Sequence, residues 1–140
     1  MSEPEKIPIL VLVSGGGTNL QALLDAEAAG RLEPAYIKAV LSDKQGAYAL
    51  ERAAAAGKTS LVESMDRTLP PDERRNDLSD RILKQARACG ARLVVCAGFL
   101  SILQGQLIDA FSGRMINIHP SLLPKFGGKG MYGRRVHEKV

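Results

Sequence analysis

Apolar and polar positions alternate along this chain between short unbroken apolar runs and longer stretches of helical spacing. Ile7 to Val13 is nearly continuous apolar sequence, the pattern of a strand buried on both faces. Gly15-Gly16-Gly17 follows, and then a stripe of Leu20, Leu23, Leu24 and Ala28 that predicts a helix. Thr18 or Asn19 is expected to cap that helix and Gly30 to close it. A second strand is predicted over about Tyr36 to Leu41, with Ser42-Asp43-Lys44 at its end. Ala47 to Ala56 reads as an alanine-rich helix closed by Gly57, and Thr59 to Val62 as a short strand. Pro70 and Pro71 introduce a long helix to about Cys89, with Leu78, Ile82, Ala86 and Cys89 on one face and Gly90 beyond. Leu93 to Ala97 is a further buried strand, Leu103 to Ala110 a short helix, and Met115 to Ile118 a last strand. Strands separated by helices imply a mainly parallel sheet joined by right-handed crossovers. Ligands of such sheets gather at the carboxyl ends of the strands. The loops Ser14–Asn19, Gly98–Leu103 and Asn117–Pro124 are therefore expected to share one crevice.

Composition narrows the picture only slightly. The 140 residues suit one domain or part of one, with 45% hydrophobic and 24% charged residues. There is no Trp and there are only three Phe and three Tyr, so aliphatic residues and alanine must build the core. The formal charge is +4, and the segment from Arg114 onward carries six basic residues against Glu138. A basic tail can meet nucleic acid or an anionic substrate, or simply be a solvated surface. Little aromatic sequence accompanies it to stack on bases, which ranks nucleic acid last. Cys89 and Cys96 match no zinc spacing and are expected to be two buried, reduced thiols of a cytoplasmic protein. Met1 to Lys6 lacks the apolar core of a signal peptide, and no run approaches membrane-spanning length.

Two motifs carry chemistry. In Gly15-Gly16-Gly17-Thr18-Asn19 the glycines let backbone N–H groups converge on an anion, and the following helix N-terminus adds its dipole. Leu20 stands where a dinucleotide fingerprint needs its third glycine, and no Gly-Lys-Ser/Thr follows, so a single phosphate is the better ligand. Asp43 could be mistaken for the ribose-binding acid of a nicotinamide site, a reading that Leu20 opposes. The alternative for the glycines is a plain tight turn. Asn117 and His119 flank one apolar residue at a strand end, so their side chains leave the same side of an extended backbone. Imidazole can act as acid or base near neutrality. An asparagine amide can donate to a developing oxyanion, and the pair suits attack of an amine on a carbonyl. No serine triad is evident, and His137 is the only other histidine, which leaves a metal reading weak. Gly98 to Leu103, directly after a strand, offers backbone groups that could read a flat heterocycle.

Taken together, Ser14-Gly-Gly-Gly-Thr-Asn-Leu-Gln, Ala97-Gly-Phe-Leu, Asn117-Ile-His-Pro-Ser-Leu-Leu-Pro-Lys-Phe and Gly128-Lys-Gly-Met-Tyr-Gly with Val136-His-Glu resemble phosphoribosylglycinamide formyltransferase. The order is kept over nearly all of the chain. Methionyl-tRNA formyltransferases and formyltetrahydrofolate deformylases share the asparagine and histidine. The resemblance implies the three-layer α/β/α formyltransferase fold with a mainly parallel Rossmann-like sheet. It implies formyl transfer from 10-formyltetrahydrofolate, as co-substrate, to the amine of phosphoribosylglycinamide in purine biosynthesis. Gly17, Thr18 and Asn19 would hold the ribonucleotide phosphate, and Leu100, Ser101, Ile102 and Leu103 would line the folate pocket with Arg75 and Asn117. Ser101 stands where that family often has a basic residue. Asn117 and His119 would be catalytic, with small molecules as the only partners, no metal, no nucleic acid and no membrane; a homodimer is one assembly to test.

The same family has a catalytic aspartate on a later loop, after another strand. The 140 residues are therefore expected to be its amino-terminal part, weakly active alone, with Met115–Ile118 left as a sheet edge. A phosphate-binding fragment without catalysis, or another enzyme using 10-formyltetrahydrofolate, is the competing reading.

Overall fold

The computed structural model describes residues 5–118. The apolar run at the amino terminus forms β1 (Ile7–Val13), whose last five residues are buried. It cannot lie at a surface, because both faces of its carboxyl half are apolar. The sheet satisfies this by placing β1 in the middle. Five parallel strands run in the order β3-β2-β1-β4-β5, with β2 (Ala35–Ser42) and β4 (Leu93–Ala97) flanking β1. β3 (Thr59–Val62) and β5 (Met115–Ile118) lie outside them. β3 is short and largely exposed, as an edge strand tolerates. β5 is the other edge among the described residues, and Ile116 on it is 42% exposed.

Helices cover both faces. α1 (Thr18–Ala28) and α2 (Tyr48–Ala55) pack Leu20, Leu24, Ala49 and Ala53 against Val11, Val13, Val40 and Val95. α3 (Pro71–Ala88) and α4 (Gln106–Ala110) pack Leu78, Ile82, Ala86 and Leu107 against Leu10, Leu12, Val94 and Met115 on the other side. The parallel sheet predicted from the alternating pattern and the three-layer α/β/α arrangement implied by the resemblance are thus both present.

Local chemistry explains the helix ends. α3 starts on Pro71, has Asp72 and Glu73 in its first turn and Arg87 in its last, which matches charge to the helix dipole. α1 ends as expected at Gly30, whose φ of +76° permits the closing bonds from Gly30 N to Glu27 O and Arg31 N to Ala26 O. Gly57 and Gly90 close α2 and α3 with the same pair of bonds.

Four local expectations are corrected. Neither Thr18 nor Asn19 caps α1; Gly17 occupies that position with φ +84°, and Thr18 is already helical. Ala28, placed on the apolar stripe by spacing, is exposed, because α1 runs past the edge of the core there. Cys89 is only partly buried, at the end of α3, whereas Cys96 is buried. The last helix begins at Gln106 rather than Leu103, since Gly105 (φ +73°) breaks the backbone before it and residues 101–104 are not helical.

Ile82 is fully buried at the centre of the α3 layer. Ile82→Ala is expected to cost about 2–5 kcal/mol in urea unfolding; a loss below about 1 kcal/mol would contradict the packing described.

Candidate active site at the carboxyl edge of the sheet

The strand order reverses direction at β1, so the connections leaving β1 and β4 diverge and open a crevice between them. The turn after β1, residues 14–17, enters this crevice from one side. Gly15, Gly16 and Thr18 are exposed, and Asn19 is buried at 6% exposure beneath them. The turn lies so close to α2 that a Cβ on Gly17 would sit 2.7 Å from Ala49 Cβ and 2.8 Å from Ala49 Cα. With its positive φ, this position accepts only glycine.

The loop after β4 enters from the other side and is tied to the turn. The Leu100 N–H donates to Ser14 Oγ at 2.9 Å, and Asn19 Nδ2 is 3.7 Å from where Gly98 would carry a Cβ. The same loop is bonded to the end of β2, where the Ser101 hydroxyl donates to Asp43 Oδ2. Asp43 is 7% exposed, and its Oδ1 has no hydrogen-bond partner among the described residues. One oxygen of its carboxylate is thus engaged by the loop after β4. Ser79 on α3 completes the anchoring by accepting the Gln104 N–H at 3.0 Å.

This loop forms a ridge between two cavities of different chemistry. The first, of about 260 Å³, is lined by Cys96, Phe99, Ile102, Leu103 and Met115, with Ser101 and Asn117 as polar groups. Asn117 reaches it because it lies in register with Cys96 on the α3 side of the sheet. The second, of about 300 Å³, is lined by Lys44, Arg67, Arg74 and Arg75 together with Leu100, Ser101 and Ile102. Arg74 is partly occupied by the Leu69 and Arg67 carbonyls at 3.1 and 3.3 Å. Arg75 makes a loose 3.9 Å contact to the exposed Asp72.

The candidate residues therefore separate into three places. Gly17, Thr18 and Asn19 stand together at the turn. Ser101, Ile102, Leu103 and Asn117 line the apolar cavity. Leu100, 76% exposed, and Arg75 line the cationic one, which Ser101 and Ile102 also border, so the expected folate contacts spread over two adjoining cavities. His119 lies outside the described residues. Sequence reading missed Ser14, Asp43 as a loop anchor, and the cations Lys44, Arg67 and Arg74. Their partners lie far along the chain, Ser14 and Leu100 being 86 positions apart, beyond any local periodicity.

Electrostatics decide one role. Burial pushes the Cys96 thiol up from 9.0 to about 12, so it lines the apolar cavity as a neutral group and not as a nucleophile.

An open parallel sheet with a glycine turn and an apolar cavity at its switch point places the chain among open-sheet α/β proteins. The chain belongs to the formyl transferase family, whose model matches residues 7–139. It is 37% identical over 131 residues to phosphoribosylglycinamide formyltransferase of Haemophilus influenzae, covering 91% of this chain and 58% of that protein. It is 44% identical over 129 residues to the trifunctional purine biosynthetic protein adenosine-3 of Drosophila pseudoobscura pseudoobscura, covering 91% of this chain and 9% of that one. The crystal structure of glycinamide ribonucleotide transformylase 1 from Symbiobacterium toebii superposes with a TM-score of 0.73 at 38% identity, over 96% of this chain and 61% of that one. The chain thus spans about three fifths or less of the length of these relatives.

Two outcomes follow from the site geometry. Gly17→Ala should destabilise the protein by about 1–3 kcal/mol in denaturant unfolding, because the neighbour is helix backbone that cannot yield; unchanged stability would contradict the close approach. The Cys96 thiol has a folded-state pKa above its unfolded one, so its contribution is intact below about pH 9 and is lost as pH rises toward about 12. Unfolding free energy should fall more steeply above pH 9 than it does in Cys96→Ala; parallel pH profiles would contradict this.

Proposed function

We propose that this chain carries out, or forms the substrate-binding part of, formyl transfer from 10-formyltetrahydrofolate to the amine of 5′-phosphoribosylglycinamide, a step of purine biosynthesis. The observation that supports it most is the joining of the two loops. The Ser14–Leu100 hydrogen bond holds the glycine turn beside the loop that, with Asn117, lines the apolar cavity. A phosphate-bearing acceptor and a flat formyl donor can then meet at one crevice.

In this reading the backbone N–H of Gly17 and the side chains of Thr18 and Asn19 hold the acceptor's phosphate. The heterocycle of the donor lies in the cavity of Phe99, Ile102 and Leu103, whose apolar lining suits it. The donor's anionic tail runs toward Arg75 and the neighbouring cations. The acceptor amine attacks the formyl carbon, and the carbonyl electrons move onto oxygen. Asn117 donates its amide N–H to that oxyanion, and His119 relays the proton from the attacking amine to the departing folate nitrogen. Re-forming the carbonyl breaks the bond to the folate and completes the transfer.

The test compares Asn117→Ala with the parent protein, using the rate of formylation of phosphoribosylglycinamide and, separately, affinity for that acceptor. The substitution should lower kcat by about 10²–10³ and leave acceptor affinity within about twofold. An unchanged rate would overturn the role of Asn117. Acceptor binding without transfer in the parent would favour a phosphate-binding protein instead.

A further inference from the structure

The glycine turn takes its polarity from α2, and we propose that Arg52 on that helix is the positioning residue that fixes the anion-binding face of the turn. This rests on the phosphate reading above. Two consecutive carbonyls of the turn are held from α2. The Ala49 N–H donates to Gly15 O at 3.1 Å, and Arg52 Nε donates to Gly16 O at 2.7 Å. Both peptide bonds are trans, since the one cis bond among the described residues is Glu33-Pro34. In a trans peptide the carbonyl and the following N–H point to opposite sides. Drawing Gly15 O and Gly16 O toward α2 therefore turns the N–H groups of Gly16 and Gly17 away from it, as successive donors of an anion nest.

Arg52 is itself well placed for this task. Its Nη1 donates to Gln21 Oε1 on α1 at 3.2 Å, and its guanidinium stacks over the Tyr48 ring, 5.0 Å from the centroid. Its Cδ lies 3.1 Å from the position of a Cβ on Gly17, so the arginine stem packs along the turn. A guanidinium used in this way serves three partners with one rigid plane, which a lysine ammonium cannot reproduce. On the far side of the turn Asn19 is 6% exposed, and its Nδ2 lies 3.7 Å from where Gly98 would carry a Cβ, at the junction of the two loops. Arg52 does not touch the anion; it acts through the peptide planes it holds, and its charge adds to the attraction.

The experiment is a titration of the ¹⁵N-labelled protein with inorganic phosphate at fixed ionic strength, following the Gly16, Gly17 and Asn19 amides, in the parent, R52M and R52K. In the parent, the Gly16 and Gly17 amide protons should shift as phosphate binds. R52M should weaken phosphate about tenfold, the loss expected for one charge-assisted orienting contact, and should shrink the Gly17 response. R52K should fall between the two. If R52M does not fold, R52K decides: weakened phosphate with a reduced Gly17 response supports the role, and parent-like binding overturns it. A folded R52M that binds phosphate like the parent overturns the Arg52 inference alone. A parent whose Gly16 and Gly17 amides ignore phosphate overturns the phosphate reading and the inference with it.

Discussion

The contact between the turn after β1 and the first turns of α2 is the constraint on which the crevice depends. β1 is apolar on both faces and has to occupy the middle of the sheet, with a layer of helices on each side. β2 pairs beside it, and the chain leaving β2 returns as α2 over the end of β1. The helix backbone then stands within 2.8 Å of where a side chain on Gly17 would begin. A larger residue would have to push α2 off Val40 and Val13, breaking one of the two core layers. Packing of the core and the shape of the anion-suited turn are in this way one requirement.

The loop after β4 depends on the same frame. It is fastened at three points, by Ser14 at the turn, Asp43 at the end of β2 and Ser79 on α3. Each anchor comes from a different element, so the loop records the relative positions of β1, β2 and α3. Fixed there, it divides an apolar cavity ending at Asn117 from a cationic one around Arg75. Ser101 is central to this arrangement. Where a basic side chain would project, its short hydroxyl turns back to Asp43, leaving the ridge thin enough that Ser101 and Ile102 line both cavities. A donor with a flat apolar head and an anionic tail could then lie across the ridge.

Much of this was readable from the residues. The five strands, their parallel pairing and the meeting of the first two loops at one edge follow from apolar run lengths and from glycines at helix ends. Asn117 could be placed because a strand ends there, and register then carries it to the cavity. What escaped has a common cause. Thr18 and Asn19 do not cap α1; Gly17 takes that position, packed against Ala49 of α2, more than thirty positions later in the chain. The anchoring role of Asp43 and the bonds of Arg52 join residues 58 and 36 positions apart, and no local pattern signals such pairs. Cations scattered over Lys44, Arg67, Arg74 and Arg75 become one surface only when β2 and the start of α3 are brought together.

Phosphate and formyl donor are proposed to meet at this carboxyl edge, each on its own loop. A crystal structure of the protein with phosphoribosylglycinamide and a folate analogue that cannot transfer its group tests it most directly. The phosphate is expected against Gly15 to Asn19 and the heterocycle between Phe99, Leu103 and Asn117. A phosphate seated instead among Lys44, Arg67 and Arg75, with the heterocycle outside the apolar cavity, would contradict it.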